Sequence, residues 1–567
     1  MSKTQRTIRG FLYIFKGERL LKQNKKEEAV TEFEKVIKIF PNHFYTNLQL
    51  AKFQMEKKDW ESSEKYWDKV YKKGKREFND KCFLDYAKTV RLNNHFSKAI
   101  KILEEARFEF PMDKLILMEL TDLYKEFGSY NKAETLLKAA VKNYPEDQSL
   151  FDELINIIIL KRDWPTAIEK LERINNSFEY EIILSMLYKI VGQSEKANNL
   201  FDSILKKYEQ AIIEDEKGYR KIIVFDNGES RIEFYKCLKK TDAIMLTFDS
   251  INMEWHDSSF AFKLLMRQNL DILAVRKKKK QTYQQDLTQQ DYVAAANPII
   301  KGYKDKMAYG FSLGAYNVLY FASLLNCRVL ALSPRLSIHP VYGKTKVILR
   351  FKMEYELSFP PNDSISPIIV FDPKNALDNR YVNESILKSF PNAKLVKIPY
   401  GGHGIAPHLL KMGLLKKFVV DFINGALPKY DRKKKQASPV YFRNLGTECL
   451  KHNKLNWALQ LAKRSLDAVP ADKNSIKLMI NVLKRLNEYE EALEFTRKSI
   501  KLVPNVLDIR LYLVDIYIHL RQLDNAETEI MKAEKKFGNK KSIIKRKDII
   551  NNIKKTHLPD PKTKQIS

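Results

Sequence analysis

The sequence repeats with a period of 34 residues, and this period constrains the fold more than any other feature. Prolines recur at that interval in two places, at Pro111 and Pro145 and at Pro470 and Pro504. Small residues recur at the same interval in a second phase, at Ala99, Ala133, Ala167, Ala458, Ala492 and Ala526. A proline cannot continue the hydrogen-bond ladder of a helix, and a small side chain lets two helices approach closely. The period therefore predicts stacked helix pairs on both sides of a central region that lacks it.

Single repeat units can be traced within both blocks. Residues 114–145 and 475–504 each predict a helix, a short turn and a second helix, with apolar residues at three- and four-residue spacing. This length and layout resemble the tetratricopeptide repeat, and we count about six such units over 8–210 and three over 438–538. An array needs about three units and a polar cap to be stable. We therefore expect the short C-terminal block to dock on the central region or on the N-terminal block.

The central region has a different pattern, in which short β-branched runs mostly alternate with helical stretches. The runs lie at 221–225, 243–248, 271–275, 306–311, 328–333, 367–371 and 393–398. Such alternation predicts a mostly parallel sheet, and the segment 345–358 interrupts it as a predicted hairpin or insertion. The expected fold is an α and α/β multidomain chain. Helical repeats over 1–212, and repeats with a basic tail over 431–567, flank an α/β domain over 213–430.

One motif in the central region predicts a catalytic nucleophile. Gly310, Ser312 and Gly314 form a G-x-S-x-G sequence between a predicted strand and a predicted helix. Glycines on both sides let the chain turn sharply, so that the serine hydroxyl stands at the end of the strand. The alternative is a tight turn whose serine merely caps the helix.

A serine nucleophile of this kind needs an acid and a histidine that follow it in the chain. His403 lies in a glycine-rich loop after a predicted strand, which is where the base belongs, whereas His408 lies in the following helix. Two acids follow an earlier strand, and we favour Asp378 over Asp372 because the acid usually lies a few residues beyond the strand. The other carboxylate then serves a turn or a helix cap.

The oxyanion formed during acyl transfer needs two backbone N–H donors. One is expected from Leu313, the residue after the nucleophile, and the second from Asn227 or Gly228 after the first predicted strand. Trp255 and His256 follow another strand and either line the site or serve as a packed aromatic ring and a surface histidine.

The chain is strongly basic, with 100 Lys and Arg against 70 Asp and Glu and a net charge of +30. This favours an anionic partner, although a lysine-rich proteome would give the same excess. The run of cations at 276–280 either binds such a partner or forms a solvated loop. Nucleic acid is disfavoured, because the basic residues are not interleaved with aromatic ones.

Compartment and metal content follow from what the sequence lacks. Its four cysteines, at Cys82, Cys237, Cys327 and Cys449, have no metal-ligand spacing and are expected to be reduced thiols. We find no signal peptide and no run of the length that spans a membrane. The expected location is the cytoplasm, with peripheral attachment to the inner face of a membrane left open.

Residues 308–335 and 390–423 resemble α/β-hydrolase-like modules of bacterial surface-polysaccharide loci, some of which are capsule O-acetyltransferases. The resemblance implies a Ser312–Asp378–His403 triad (or Asp372 as the acid), with acetyl-CoA as co-substrate and no bound cofactor or metal. It implies a polysaccharide acceptor, which is anionic if the excess of cations serves binding, and repeats that bind other biosynthesis proteins. The alternatives are a carbohydrate esterase with the same triad and a non-catalytic repeat scaffold.

Overall fold

A computed structural model of the chain describes residues 3–74, 77–174, 177–214, 218–343, 345–348, 351–357 and 362–556. The last residues of the predicted basic tail, 557–567, lie outside these ranges. The chain divides into two compact units. The first consists of Met1–Lys239 with Arg276–Lys279, and the second of Lys240–Val275 with Lys280–Ser567. The predicted domain boundaries near 212 and 430 stay predictions.

The first unit begins with helices that pack in sequence against one another. They are α1 (Lys3–Lys22), α2 (Lys26–Ile39), α3 (Phe44–Glu56), α4 (Trp60–Gly74), α5 (Asp80–Leu92), α6 (Phe96–Glu109), α7 (Lys114–Glu126), α8 (Tyr130–Asn143), α9 (Gln148–Leu160), α10 (Trp164–Glu172), α11 (Phe178–Ile190), α12 (Ser194–Lys207) and α13 (Glu209–Glu214).

The repeat pattern accounts for how these helices begin and pack. Asp113 caps α7 by accepting a hydrogen bond from the Ile116 N–H, which satisfies a donor that the helix itself cannot pair. Ala99, Ala133 and Ala167, the small residues of the 34-residue period, are fully buried between helices. Larger side chains at these positions would push the helices apart.

The first unit ends in an antiparallel hairpin formed by β1 (Tyr219–Asp226) and β2 (Ser230–Cys237). Only β1 was predicted from the sequence. Within this unit the guanidinium of Arg276 is 1% exposed and donates to the buried carboxylate of Glu233 at 3.1 Å. Lys277 is also buried. The prediction that this run forms a solvated loop or binds an anionic partner is therefore wrong for Arg276 and Lys277.

The second unit contains a parallel sheet with the strand order β4-β3-β5-β6-β7-β8. Its strands are β3 (Ala243–Phe248), β4 (Asp271–Lys277, of which the residues up to Val275 belong to this unit), β5 (Asp305–Phe311), β6 (Arg328–Leu332), β7 (Ile368–Phe371) and β8 (Lys394–Lys397). All of them were predicted. Because the strands are parallel, the loops that follow β3, β5, β6, β7 and β8 gather at one edge of the sheet, where ligands bind in such folds.

Helices cover this sheet and connect its strands. They are α14 (Phe262–Leu265), α15 (Gln289–Ile300), α16 (Leu313–Tyr320), α17 (Thr345–Ile348), α18 (Ala376–Tyr381), α19 (Leu387–Ser389), α20 (Ile405–Lys411) and α21 (Leu415–Ile423). Short helical turns occur at Met266–Gln268, Ala322–Leu325, Val382–Ile386 and Arg432–Ala437. Of the two alternatives for 345–358, the hairpin is wrong for the residues described there, which form α17 and an irregular stretch over 351–357.

The second unit ends in a further set of stacked helices. They are α22 (Pro439–Lys451), α23 (Leu455–Ala468), α24 (Lys473–Arg485), α25 (Tyr489–Leu502), α26 (Leu507–His519), α27 (Leu523–Phe537) and α28 (Lys541–Thr556). The expected docking of this block is confirmed, since Ser438 before α22 hydrogen-bonds to the buried His408 of α20 at 2.8 Å. The predicted fold class, helical repeats flanking an α/β sheet region, is confirmed. Among the described helices, none combines the length and apolar character needed to cross a bilayer.

Candidate active site

Ser312 occupies a sharp turn between β5 and α16. Its backbone has φ 54° and ψ −113°, a conformation that L-residues rarely adopt. The flanking glycines are required by space, because a Cβ on Gly310 would lie 2.3 Å from the carbonyl oxygen of Gly314. A Cβ on Gly314 would lie 2.4 Å from the carbonyl oxygen of Phe248. The G-x-S-x-G sequence thus matches a turn that only glycine can flank.

Three predicted residues meet at this turn. The Ser312 Oγ lies 3.0 Å from Nε2 of His403, and the His403 Nδ1 lies 3.0 Å from both carboxylate oxygens of Asp378. Ser312 and His403 come from the turn after β5 and the loop after β8, and Asp378 comes from the first turn of α18 after β7. The parallel sheet brings these three segments to one edge. Asp378 is 2% exposed, whereas the His403 side chain is 28% exposed. Ser312 itself is half-buried, and it lies beside a histidine that a buried carboxylate orients. This arrangement suits proton transfer from the hydroxyl.

A fourth side chain, Arg335, was not anticipated from the sequence. Its Nε donates to the Oδ1 of Asp378 at 2.5 Å, its Nη1 donates to the Tyr342 carbonyl at 2.9 Å, and its side chain is 4% exposed. Burial raises the pKa of the Asp378 carboxyl, but the hydrogen bond from His403 and the positive charge of Arg335 outweigh it. The net pKa is lowered, so the carboxylate is held in its charged form.

Asp372, the alternative acid, has a different set of partners. Its Oδ1 accepts the backbone N–H groups of Lys374 and Tyr400 at 2.8 and 3.0 Å, and its Oδ2 accepts that of Gly402 at 2.8 Å. Burial raises the pKa of Asp372, partly offset by these hydrogen bonds. The carboxylate therefore holds the backbone of the loop that carries His403, while Asp378 is the one that touches the imidazole.

The three residues predicted as oxyanion donors lie in two different places. Leu313 is the first residue of α16, where its N–H has no acceptor within the helix. Asn227 and Gly228 lie instead in the turn of the β1–β2 hairpin, where their N–H groups bond to the Ser230 carbonyl and the Asp226 carboxylate. Their proposed role is wrong, because a hairpin turn joins β1 to an antiparallel strand and consumes those amides locally.

The loop after β3 is the better source of the second donor. It starts beside the nucleophile turn, since Phe248 and Asp249 are the residues whose carbonyls a Cβ on Gly314 would approach. In α/β hydrolases the second oxyanion donor comes from the loop after the strand next to the nucleophile strand, and β3 pairs with β5. The Asp249 N–H donates to the Val275 carbonyl at 3.1 Å, which leaves residues 250–252 as candidates for the second donor, and the Ser250 N–H has no acceptor within the part of the chain that the structure describes.

The remaining sequence candidates have other partners. Trp255, in the loop after β3, donates its indole N–H to Nε2 of the exposed His256 at 3.1 Å. His408 is fully buried, and burial together with the charge of Arg443 lowers its pKa to about 4. His408 contacts Ser438 and is a packed, neutral histidine. Among the residues described, no group of three or more His, Cys, Asp and Glu side chains is placed to hold a metal ion.

Comparisons with known proteins give one family match and several similar solved structures. A tetratricopeptide-repeat family model matches residues 12–43. The chain is similar to yeast Tom70 (10% identity, 91% of this chain and 97% of that chain, TM-score 0.24). It is also similar to a predicted CIB-like hydrolase from Thermoplasma acidophilum (12% identity, 36% of this chain and 98% of that chain, TM-score 0.25).

A third solved structure is that of Naa15/Naa10 bound to HypK-THB (13% identity, 94% of this chain, TM-score 0.28). The chain spans 64% of the length of that relative. No curated protein matches the chain. The structure shows helical repeats that flank an α/β sheet region, and the family match to the tetratricopeptide repeat lies within the N-terminal helices.

Proposed function

We propose that the chain is a serine-dependent acyltransferase, in which Ser312 is the nucleophile, His403 the general base and Asp378 the acid that orients it. The observation that carries this proposal is the pair of hydrogen bonds joining Ser312 to His403 and His403 to Asp378, each 3.0 Å long. These bonds span residues that lie far apart in sequence. A helix-capping serine would need neither partner, and the Ser312 side chain makes no cap hydrogen bond to α16.

The proposed reaction has two halves. In the first, the Ser312 Oγ attacks the acyl carbonyl of the donor, and its proton moves to Nε2 of His403. The Leu313 N–H and a donor from residues 250–252 stabilise the oxyanion. The carbon–sulfur bond of an acetyl-CoA donor then breaks, and the departing thiolate takes the proton from His403. An acetyl ester remains on Ser312.

In the second half, an acceptor hydroxyl attacks this ester. Its proton passes to His403 and then to the departing Ser312 oxygen, which frees the enzyme and leaves the acetyl group on the acceptor. We propose a capsule-type or other surface polysaccharide as the acceptor, in the cytoplasm, on the strength of the resemblance of residues 308–335 and 390–423. The excess of cations suits an anionic polymer. We further propose that the repeats bind other proteins of polysaccharide synthesis.

Ester hydrolysis uses the same three side chains with water as the acceptor, and it is the second candidate. His403 is 28% exposed, so water has access to the base. The two reactions are separated by the fate of the acyl group. Incubation with acetyl-CoA and a panel of glycans, followed by mass analysis, should show acetylated glycan if the enzyme is a transferase and only free acetate if it is an esterase.

Ser312→Ala and the exposed Ser364→Ala form a matched pair for this experiment. The first should lose turnover by several orders of magnitude, as is typical when a triad member is removed, while the second should behave as the unaltered protein. If neither acetate nor acetylated glycan forms, or if Ser312→Ala loses only a few-fold in rate, the chain is better described as a repeat scaffold with an inactive hydrolase domain.

A further inference from the structure

Helix α1 exposes a continuous apolar stripe. Ile8, Phe11, Leu12 and Phe15 are 57%, 64%, 63% and 71% exposed. Residues at this spacing of three and four share one face of a helix. Four large apolar side chains that share a face and are each more than half exposed form a patch of the kind that marks an interaction surface.

The opposite face of α1 fixes the orientation of the helix. Gly10 and Gly17 lie against the rings of Phe40 and Phe33, so close that a Cβ would meet them at 2.2 and 2.5 Å. Only the two glycines permit this approach, and rotation of the helix would drive larger side chains into the same rings. The helix therefore cannot turn to bury its apolar stripe, and the stripe stays outward.

The charge of α1 indicates what covers the stripe. Its sequence contains six cations against the single acid Glu18. Lys16 is paired with Glu32, but Arg19 and Lys22 are exposed in the last turn beside the stripe. Two copies packed through this face would bring these positive charges together. An anionic lipid surface satisfies both the apolar stripe and the cations.

We propose that α1 binds an anionic membrane surface, lying in the plane of the interface with Phe11 and Phe15 inserted among the headgroups and upper acyl chains. A 20-residue helix is about 30 Å long. It lies on the membrane without crossing it. This inference does not depend on the proposed catalytic function.

The test is co-sedimentation of the full chain with vesicles of phosphatidylcholine, with and without phosphatidylglycerol. We expect binding to the anionic vesicles that weakens as salt is raised. The double variant Phe11→Ser with Phe15→Ser should bind at least about tenfold more weakly, because two buried rings are lost. Phe108→Ser, which alters an 85%-exposed ring on α6, is the matched control and should bind normally.

Three results would overturn this inference. One is no binding to anionic vesicles at low salt, and another is equal binding by the double variant and the Phe108→Ser control. The third is a dimer, seen by analytical ultracentrifugation without lipid, that the double variant abolishes, since this would assign the stripe to a second copy. The substituted side chains are exposed, so thermal stability should be unchanged and a folding defect will not mimic the expected loss.

A second and independent contact joins the C-terminal repeats to the loop that carries His403. The side-chain amide of Asn444, on α22, donates to the carbonyl of Tyr400 at 3.0 Å. A Cβ on Gly402 would lie 2.9 Å from the same amide nitrogen. The rings of Tyr400 and Tyr441 pack edge to face with centroids 5.8 Å apart.

This loop needs such support because its backbone is strained. Tyr400 has φ 64° and Gly402 has φ 67°, and the left-handed conformation is unfavourable for a tyrosine. The Asp372 carboxylate accepts hydrogen bonds from backbone N–H groups of this loop. Asn444, on α22, donates to the Tyr400 carbonyl of the same loop. We infer that Asn444 is a positioning residue that keeps His403 in line with Ser312, an inference that rests on the proposed function.

Asn444→Asp removes the donor at nearly constant size and places a negative charge against the Tyr400 carbonyl. We expect kcat to fall about 10- to 100-fold with KM unchanged, because a misplaced base slows the chemistry without altering donor binding. Asn444→Gln retains the donor and should recover part of the rate. The control is Asn481→Asp on α24, whose amide bonds to the Tyr512 hydroxyl at 3.2 Å.

An active protein in which Asn444→Asp retains full kcat would overturn this inference and leave the proposed function standing. Equal losses of kcat in Asn444→Asp and Asn481→Asp would also overturn it, since they would point to a general loss of repeat stability. Absence of activity in the unaltered protein would instead count against the proposed function itself.

Discussion

Asp378 and Asp372 both lie near His403, but replacing each carboxylate with an amide should have a different consequence. In Asp378→Asn the amide oxygen has to face Arg335, because the guanidinium only donates hydrogen bonds. The amide NH2 then takes the position of Oδ2, 3.0 Å from Nδ1 of His403, where it opposes an Nδ1–H group and favours the tautomer with the imidazole proton on Nε2. A protonated Nε2 cannot accept the proton of Ser312. We expect the rate of Ser312 acylation to fall about ten-thousand-fold, the size of effect seen for the wrong tautomer in a triad enzyme.

Asp372→Asn should act on stability more than on chemistry. The amide oxygen can keep the N–H groups of Lys374 and Tyr400, but the NH2 group then faces the Gly402 N–H. One buried donor is left unpaired, at a cost of about 1–3 kcal/mol. We expect a lower melting temperature and an acylation rate reduced by less than about 100-fold.

The assay for both variants is the rate at which an activated acetyl ester acylates the protein, alongside a thermal unfolding curve. The unaltered protein and Ser364→Ala set the reference. If Asp372→Asn were the inactive variant and Asp378→Asn nearly normal, the assignment of the acid would be reversed. Equal losses in both would refute the argument from the Arg335 contact and the imidazole tautomer.

Three further predictions concern single side chains. Arg335→Met removes a cation that helps to lower the pKa of the Asp378 carboxyl, so this carboxyl should protonate at higher pH and the acid limb of the pH–rate profile should move to higher pH; an unchanged limb would contradict this electrostatic role. Gly314→Ala should abolish acylation, because its Cβ would lie 2.4 Å from the Phe248 carbonyl oxygen; normal activity would refute the steric argument. His408 has a folded-state pKa of about 4, below the ordinary value near 6.5. Below about pH 6.5 the unfolded state binds a proton at His408 that the folded state does not, so the free energy of unfolding should fall by about 3 kcal/mol between pH 6.5 and pH 4. Denaturant unfolding of His408→Gln should lack this part of the pH dependence.

The sequence was most informative where a local pattern determines the structure. The 34-residue period and the alternating strands were enough to predict the fold class. The G-x-S-x-G motif, followed along the chain by an acid and a histidine, predicted Ser312, Asp378 and His403 as the candidate site residues. The clearest error came from Asn227 and Gly228. This Asn-Gly pair is a strong signal for a two-stranded hairpin, and it was interpreted as part of a strand-to-helix loop.

Other features depend on tertiary contacts that no local pattern contains. Arg335 reaches Asp378 only because β6 and β7 are neighbours in the sheet. Asn444 reaches the His403 loop only because the C-terminal helices dock beside it. The short basic run beginning at Arg276 resembles a solvated loop, yet its first residue is buried by the ion pair with Glu233. Such pairings become visible only when the chain is folded.

The central claim is that Ser312 is an activated nucleophile, and it can be tested without knowledge of the donor or acceptor. The full chain is treated with a fluorophosphonate, which bonds to activated serine hydroxyls, and the modified residue is located by peptide mass mapping. We predict one adduct per chain, on Ser312, that is absent in Ser312→Ala and forms far more slowly in His403→Gln. An unmodified protein, or an adduct on another serine, would contradict the account.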